Sequence, residues 1–504
     1  MRPLACVRAW GAAVAASKSA LTPFLVLMTS ACAVGPDFHH PAPPEVKGYT
    51  SRPLPLQTAS ARTENGAAQR FVAGMDIPGQ WWTLFRSKPL NELIAQSLQA
   101  NPTLPAAQAA LRQAWENVYA QRGQYFPTVS AQIGASRNLT PVAVEAPFTA
   151  SGNPYYSLIT PQLSLSFVPD VFGANRRTVE SLQAQAENQA FQLEATYLTL
   201  TSNVVSGAIQ EASLRGQIAA TEQTIKIEGD LLNILRRQLA LGQVAGADVA
   251  AQEAALAQSQ QALPPLQKQL AQERDALTAL VGRFPSQEIA ERFDLARLTL
   301  PTAVPLSLPA AVVEQRPDVR AAEASLHSAS AEIGVAVAAR LPQITLTGNV
   351  GNTALRLSQM FTPGTNFWTI AGQVGAPIFD AGTLLHKQRA AKAAFDQAAA
   401  QYRTTVLAAM QNVADTLHAL QSDADALRAA VASEQAAARS LQITRRQLEL
   451  GQISYPSLLN AQNTYQQARL ARVQAEANRF ADTAALFQAL GGGWWNRTDV
   501  ASAK

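Results

Sequence analysis

The residues able to do chemistry are few, and their spacing is unhelpful to a catalyst. The five histidines are His39, His40, His327, His386 and His418, and only the first two are neighbours. No Cys/His or His/carboxylate spacing resembles a zinc set. The "GGGWW" beginning at Gly491 lacks the Lys-Ser/Thr of a phosphate loop. Asp and Glu are spread over helical faces as solvated charges. No enzyme, resident metal or small-molecule cofactor is expected. One residue stands apart. Cys6 lies in the first segment and Cys32 follows "TSA", so a processed chain would keep Cys32 alone. A single cysteine makes no intrachain disulfide. Placed directly after a leader, it suggests covalent lipid; a plain signal peptide with a free thiol is the alternative.

The leader is read over residues 1–31. Arg2 and Arg8 open it, and the apolar run "LTPFLVLM" is too short to span a bilayer. Thr29 stands where a lipobox usually has Leu. Downstream, no stretch has the ~18 apolar residues of a spanning helix. Membrane association would therefore use β-strands or lipid. Of 504 residues 15% are charged, the net charge is +4, and three of the cations are Arg2, Arg8 and Lys18. A near-neutral remainder without a basic cluster argues against nucleic acid.

What must position any site is a duplicated framework. "NPTLPAAQAALRQA" from Asn101 compares with "RPDVRAAEASLHSA" from Arg316, and "YFPTVSAQIG" around Pro127 with "RLPQITLTGN" around Pro342. These pairs are offset by 215 positions, whereas "DVFGANRR" and "FDAGTLLH", at Gly173 and Gly382, are offset by 209. "LALGQVAGAD" from Leu239 and "LELGQISYPS" from Leu448 keep the offset of 209. The difference falls between Asn138 and Tyr155, where a loop absorbs it.

Each copy predicts a helix (89–123, 309–340), two short strands, a very long helix (174–241, 383–450), a corner and a return helix (246–281, 455–489). Repeat 1 is assigned to 89–283, with strands near 127–138 and 156–168 and a tip at 242–247. Repeat 2 is assigned to 309–490, with strands near 342–352 and 367–378 and a tip at 451–456. Residues 32–88 read as an extended arm, 284–308 as a Pro-rich linker and 491–504 as a C-terminal tail.

In the second long helix, Val406, Met410, Val413, Leu417, Leu420, Ala424, Leu427, Val431, Ala438, Leu441 and Leu448 step by fours and threes, with interruptions at Glu434 and Arg445. That is a heptad seam, and the helix would run about 100 Å at 1.5 Å per residue. Gly242 and Gly451 can take the left-handed conformation that stops a helix, and Asp248 and Ser457 suit the next N-terminal turn. Long antiparallel hairpins result; a plain coiled-coil rod is the simpler alternative.

The strand segments alternate. Ile344, Leu346, Gly348 and Val350 are interleaved with Thr345, Thr347 and Asn349; Trp368, Ile370, Gly372 and Val374 with Thr369, Ala371 and Gln373. Such segments fit a transmembrane barrel or a soluble antiparallel sheet. Four strands per chain cannot enclose a pore, since about eight already give a filled interior. If they span a membrane, several chains must share one barrel, and three would supply twelve strands.

"CAVGPDFHHP" from Cys32, "GQWWTLFRSKPLNELIAQSLQANPTL" from Gly79, "EQRPDVRAAEASL" from Glu314, "PIFDAGTL" from Pro377 and the terminal "ALGGGWW" occur in one order. Together they closely resemble the TolC-like outer-membrane efflux factors, in their OprM-like lipoprotein branch, from Cys32 to Trp495. The resemblance implies a mainly α fold with a transmembrane β part: a homotrimer forming a 12-stranded outer-membrane β-barrel continuous with a periplasmic α-helical barrel. It implies the exit duct of a tripartite efflux pump, passively exporting small molecules. Its partners would be a periplasmic adaptor (membrane-fusion) protein and an inner-membrane transporter of the resistance-nodulation-division type. Cys32 would carry the lipid, with Ala33 after it compatible with outer-membrane sorting.

By the same resemblance the corners are periplasmic tips that meet the adaptor. The positions are Leu239, Leu241, Gly242, Val244, Gly246 and Asp248, then Leu448, Leu450, Gly451, Ile453 and Ser457. Relatives often carry an acid about six positions before the second tip glycine. Here that position is Arg445, followed by Arg446, with Glu449 nearer the tip. Arg445 is expected to pair with a carboxylate, Glu449 or one on a neighbour, as part of a gate; a solvated or lumen-facing arginine is the alternative. Two other functions remain open: a protein-secretion duct on the same fold, and a lipid-anchored coiled-coil scaffold or adaptor.

Overall fold

The computed structural model describes residues 33–46, 48–139 and 155–497. The leader, Cys32 and most of the insertion loop lie outside the described residues. In chain order the elements are β1 (Arg70–Ala73), α1 (Lys88–Ala100), α2 (Thr103–Arg122), β2 (Thr128–Leu139), β3 (Tyr155–Phe167), α3 (Ala174–Ala240), α4 (Gly246–Leu280), β4 (Ala303–Leu306), α5 (Pro309–Gln315), α6 (Pro317–Ala338), β5 (Gln343–Asn352), β6 (Asn366–Gly375), α7 (Thr383–Glu449) and α8 (Tyr455–Ala489). The chain divides into two compact units, one holding 112–188 and 323–401 with the residues up to 40, the other holding 41–111, 189–322 and 402–504. Helices α3 and α7 contribute to both.

Unit 1 contains a four-stranded antiparallel sheet in the order β2-β3-β5-β6. Its register aligns like with like. One row across the strands is Ala131, Leu163, Val350 and Trp368; the next polar row is Ser130, Ser164, Asn349 and Thr369. Because side chains alternate between faces, one face is apolar and the other carries hydroxyls and amides. Arg137 is the only charged residue in these four described strands. Strand β6 ends three residues before the expected 378, as Pro377 follows and cannot donate to a ladder.

Asp carboxylates start both long helices. Asp170 accepts from the backbone N–H of Asn175 (2.9 Å) and Arg176 (2.8 Å), and Asp380 from Gly382 (2.9 Å) and Leu384 (2.8 Å). These donors hold the Asp380 carboxyl below its ordinary pKa. The segment after Cys32 is pinned nearby. Val34 N–H donates to Phe172 O at 3.1 Å, and Arg177, buried, binds Asp37 and Glu180 at 2.7 Å each. Phe38 stacks on His327, with centroids 4.3 Å apart, and His40 meets Glu323 at 2.5 Å. Two histidines remote in sequence therefore come together around one phenylalanine.

Unit 2 contains the helical hairpins and corrects four expectations. The first helix of each repeat is two helices, because Asn101 and Arg316 precede prolines and are extended (ψ 126 and 124); a proline disfavours helix in the residue before it. The arm and the linker are not wholly irregular: β1 pairs in parallel with β4, Arg70 opposite Ala303. Pairing partners over 200 positions apart leave no local signal. The arm is further held by Arg479, whose buried guanidinium donates to Asn65 O and Ala67 O. The residues from Gly491 to Arg497 are no loose tail. Trp494 Nε1 donates to Gln315 O (2.6 Å), Trp495 Nε1 to Asp76 (3.1 Å), and Arg497 pairs with Glu194 (2.6 Å).

The duplication is visible in packing. Both return helices stop at a left-handed glycine, Gly282 and Gly491. A Cβ on Gly282 would lie 2.4 Å from Ala100 O, and one on Gly491 2.5 Å from Gln315 O. Each copy thus seats its last helix on the end of its own first short helix. The α7 seam is buried at Val406, Ala409, Val413, Leu417, Leu420, Ala424, Leu427, Val431, Ala437 and Leu441. Met410 and Ala438 are only half-buried, their neighbours Ala409 and Ala437 taking the inner positions. The interruption at Glu434 is satisfied by Arg472 of α8 at 2.6 Å.

Candidate functional site

The two corners, distant in sequence, meet in unit 2. Each is built the same way. Gly242 has φ +71 and donates to Leu239 O, while Gln243 donates to Gln238 O; Gly451 has φ +70 and donates to Leu448 O, while Gln452 donates to Gln447 O, all at 2.9 Å. This Schellman pattern satisfies carbonyls that a helix end leaves open. Asp248 Oδ2 accepts from Ala245 N–H (3.4 Å) at the start of α4, and Ser457 Oγ lies 3.3 Å from Ser454 Oγ at the start of α8.

Below the corners a cluster joins the hairpins: Leu232 and Leu235 of α3, Val249 of α4, Leu441 of α7, Tyr455 and Leu458 of α8. Val244 and Leu448 pack against it. The apexes point outward instead. Leu241 is 71% exposed and Leu450 58%, and Leu239, Gly242, Gly246, Gly451 and Ser457 are exposed as well. Asp248 and Ile453 are half-buried. The chain thus brings the expected tip positions of both copies onto one end of the hairpins, half anchored and half presented.

The charged residues are arranged differently from expectation. Glu449 pairs with Arg446 (3.0 Å), not with Arg445. Both spacings, three and four, lie along a helix face, so spacing alone could not choose. Arg445 is exposed and lines a cavity of about 890 Å³ between the hairpins.

Sequence reasoning missed a buried polar link here. The buried Tyr455 hydroxyl donates to Gln252 Oε1 at 2.5 Å, and Gln252 Nε2 donates to Glu228 O at 2.8 Å. This chain ties α8, α4 and α3. Burial pushes the Tyr455 hydroxyl well above its ordinary pKa, with Asp248 and Glu228 adding to it, so it stays a donor. Burial also raises the Glu228 carboxyl, partly offset by a hydrogen bond from Ser259. A Tyr-Pro pair at a helix start was the only available signal.

The second feature is the sheet of unit 1, whose apolar face carries large exposed side chains. Trp368 is 71% exposed and Ile370 80%, with Val129, Ile133, Leu163 and Val350 on the same face. An apolar surface of this extent marks an interaction with membrane or protein. Among the described residues no helix is long and apolar enough to cross a membrane, and no cluster of three metal-ligating side chains occurs.

Known proteins resemble this chain over most of its length. The toluene efflux pump outer membrane protein TtgC of Pseudomonas putida is 28% identical over 484 residues, 96% of each chain. The pyoverdine export outer membrane protein OpmQ of Pseudomonas aeruginosa is 28% identical over 455 residues, 88% of this chain and 94% of that one. The structure of the outer-membrane channel OprN superposes with a TM-score of 0.81 at 26% identity, over 92% of this chain and all of OprN. VceC of Vibrio cholerae, at 23% identity and TM-score 0.76 over 83% of this chain and all of its own, shares the fold. The outer membrane efflux protein family model matches twice, over residues 93–283 and 308–492, one match for each repeat. With its duplicated hairpins and two-faced sheet, the chain belongs to the outer membrane efflux protein family, whose members are channels of the TolC-like fold.

Proposed function

We propose that this protein is the exit duct of a tripartite efflux pump for small molecules. The observation that carries the reading is the sheet: four strands, apolar on one face and polar on the other, with β2 and β6 as edges. Four strands are too few to close, and membrane strands tolerate no open edge. Three chains pairing β6 with the next β2 would make a closed barrel of twelve. Lipid would meet the Trp368 row, and water the Ser130–Thr369 row. The helices would form the periplasmic tunnel, with the tips presented to an adaptor and, through it, to an inner-membrane transporter. Leu241 and Leu450 are the exposed apolar anchors suited to that contact. Cys32 would carry lipid, and the pinned segment from Val34 to His40 would fix where that lipid leaves the fold.

Names of relatives favour small cargo over protein: toluene for one, pyoverdine for another. The test is purification from membranes, mass measurement and reconstitution in planar bilayers. A trimer with steady conductance is expected. A monomer that conducts nothing would remove the duct and leave the scaffold reading.

A further inference from the structure

The edges of the four-stranded sheet lack what would keep them open. Strands β2 and β6 contain no proline and, apart from Arg137, no charge, although proline and charge are what prevent the edge of a soluble sheet from pairing. Among these four described strands the only proline is Pro161 of the inner strand β3, and the β3–β5 ladder stops beside it, at Gln162 opposite Gly351.

The duplication says which residues the two edges would pair. The offsets of 215 from β2 to β5 and 209 from β3 to β6 are those of the sequence, and the two hairpins follow them. Leu163 opposite Ala131 becomes Gly372 opposite Leu346, and Ser157 opposite Arg137 becomes Asn366 opposite Asn352, as observed. The sheet also contains one junction between the repeats, β3 with β5. There Leu163 faces Val350, Leu165 faces Gly348, and beyond Pro161 a single bridge joins Ile159 to Ala354. The same offsets carry these pairs to Gly372 with Ala135, Val374 with Ile133 and Trp368 with Leu139. A closed barrel needs a matched stagger at its junctions, so a seam between chains should repeat the junction within one. Each transferred pair sets apolar face beside apolar face, and a slip of one residue would reverse them.

We infer that β6 pairs with β2 of a second copy of this chain in that register, and that Arg137 of one copy is thereby delivered to Trp368 of the partner subunit. The inference rests on the duct reading. Between the transferred pairs Arg137 comes opposite Ile370 of the partner subunit, with Trp368 of the partner subunit diagonal to it. Diagonal neighbours are within reach of long and aromatic side chains. Arg137 stands two residues from Ala135 and so on the apolar face, and Trp368 on that face is 71% exposed within the chain. A guanidinium can lie over its indole ring. The one charge in these strands then serves a contact between subunits.

The test places cysteine pairs on the polar side of the seam, in the full-length protein in membranes. Gln162 opposite Gly351 transfers to Ala371 opposite Ser136. Ala371→Cys with Ser136→Cys should therefore give covalent dimers and trimers on non-reducing gels after mild oxidation. Gly134→Cys or Asn138→Cys in place of Ser136→Cys should give about fivefold less, because directly opposed residues are within disulfide range and diagonal ones are not. Single-cysteine variants control for Cys32. A trimer bridged best in a shifted pair, or in no pair, would overturn the register alone. A protein that stays monomeric would overturn the duct and the register with it. For the ring contact, Arg137→Gln and Trp368→Leu should each lower the temperature at which the trimer dissociates, and the double variant no further than the worse single one. Additive losses would overturn the contact.

Discussion

The hydroxyl of Tyr455, first residue of α8, donates to Gln252 Oε1 at 2.5 Å within a buried cluster. One contact thus joins the return helices of the two repeats directly below their tips. Tyr455→Phe keeps the ring and removes the donor, leaving a buried carbonyl unpaired. A loss of about 1–3 kcal/mol is expected, read by denaturant unfolding in detergent. If the hairpins move against each other during opening, bilayer conductance should also rise. Unchanged stability would show that water replaces the hydroxyl.

The corner and the C-terminal glycines separate backbone strain from crowding. Gly451 has φ +70 and open space around a Cβ, so Gly451→Ala should cost only the left-handed penalty, about 1–2 kcal/mol. Gly491 has φ +94, and its added Cβ would meet Gln315 O at 2.5 Å. Gly491→Ala should abolish the folded, heat-modifiable form altogether. Comparable yields of the two variants in membranes would contradict this.

Asp482 of α8 sits beside Asp423 of α7, and burial with its like-charged neighbour pushes it up to about 7 from an ordinary 3.8. A raised carboxyl pKa means that the folded state binds a proton more tightly than the unfolded one. Its penalty is absent below about pH 4, grows as pH rises and is complete above about pH 7. Asp482→Asn should therefore leave stability unchanged at pH 4 and raise it by about 1–2 kcal/mol at pH 8, after discounting for partial exposure. Equal unfolding midpoints for variant and parent at pH 8 would refute the acid pair.

The two sheet faces should tolerate charge unequally. Ile370→Lys places an ammonium on the apolar face, and a cost of about 2–4 kcal/mol is expected at bilayer mid-depth. Thr369→Lys, one residue away on the polar face, should insert normally and shift ion selectivity. Liposome insertion and reversal potentials measure both. Equal insertion would mean that the Trp368 face does not meet lipid.

The proposed lipid on Cys32 predicts that Cys32→Ser removes the lipid mass from the membrane-extracted protein, since attachment needs the thiol. An unmodified Cys32 in the parent would make the leader an ordinary signal peptide.

Much of this was legible locally. The offset of 209 between Gly242 and Gly451 needed no coordinates, and neither did the strand alternation around Leu346 and Ile370. Periodicity and helix stops are set by neighbours along the chain, so sequence carries them. The sequence also placed both corners. Contacts over long separations were beyond its reach. Nothing near Arg70 announces Ala303, nothing near Tyr455 announces Gln252, and nothing near Gly491 announces the carbonyl of Gln315. The choice of Arg446 over Arg445 for Glu449 was likewise left to packing, as both are within helical reach. The sequence by itself determined which segments coil, alternate and turn, because those follow from backbone sterics and local hydrophobic period. Only the tertiary structure decided which buried polar groups find partners and that Gln462 finds none, because that depends on what the rest of the chain brings alongside.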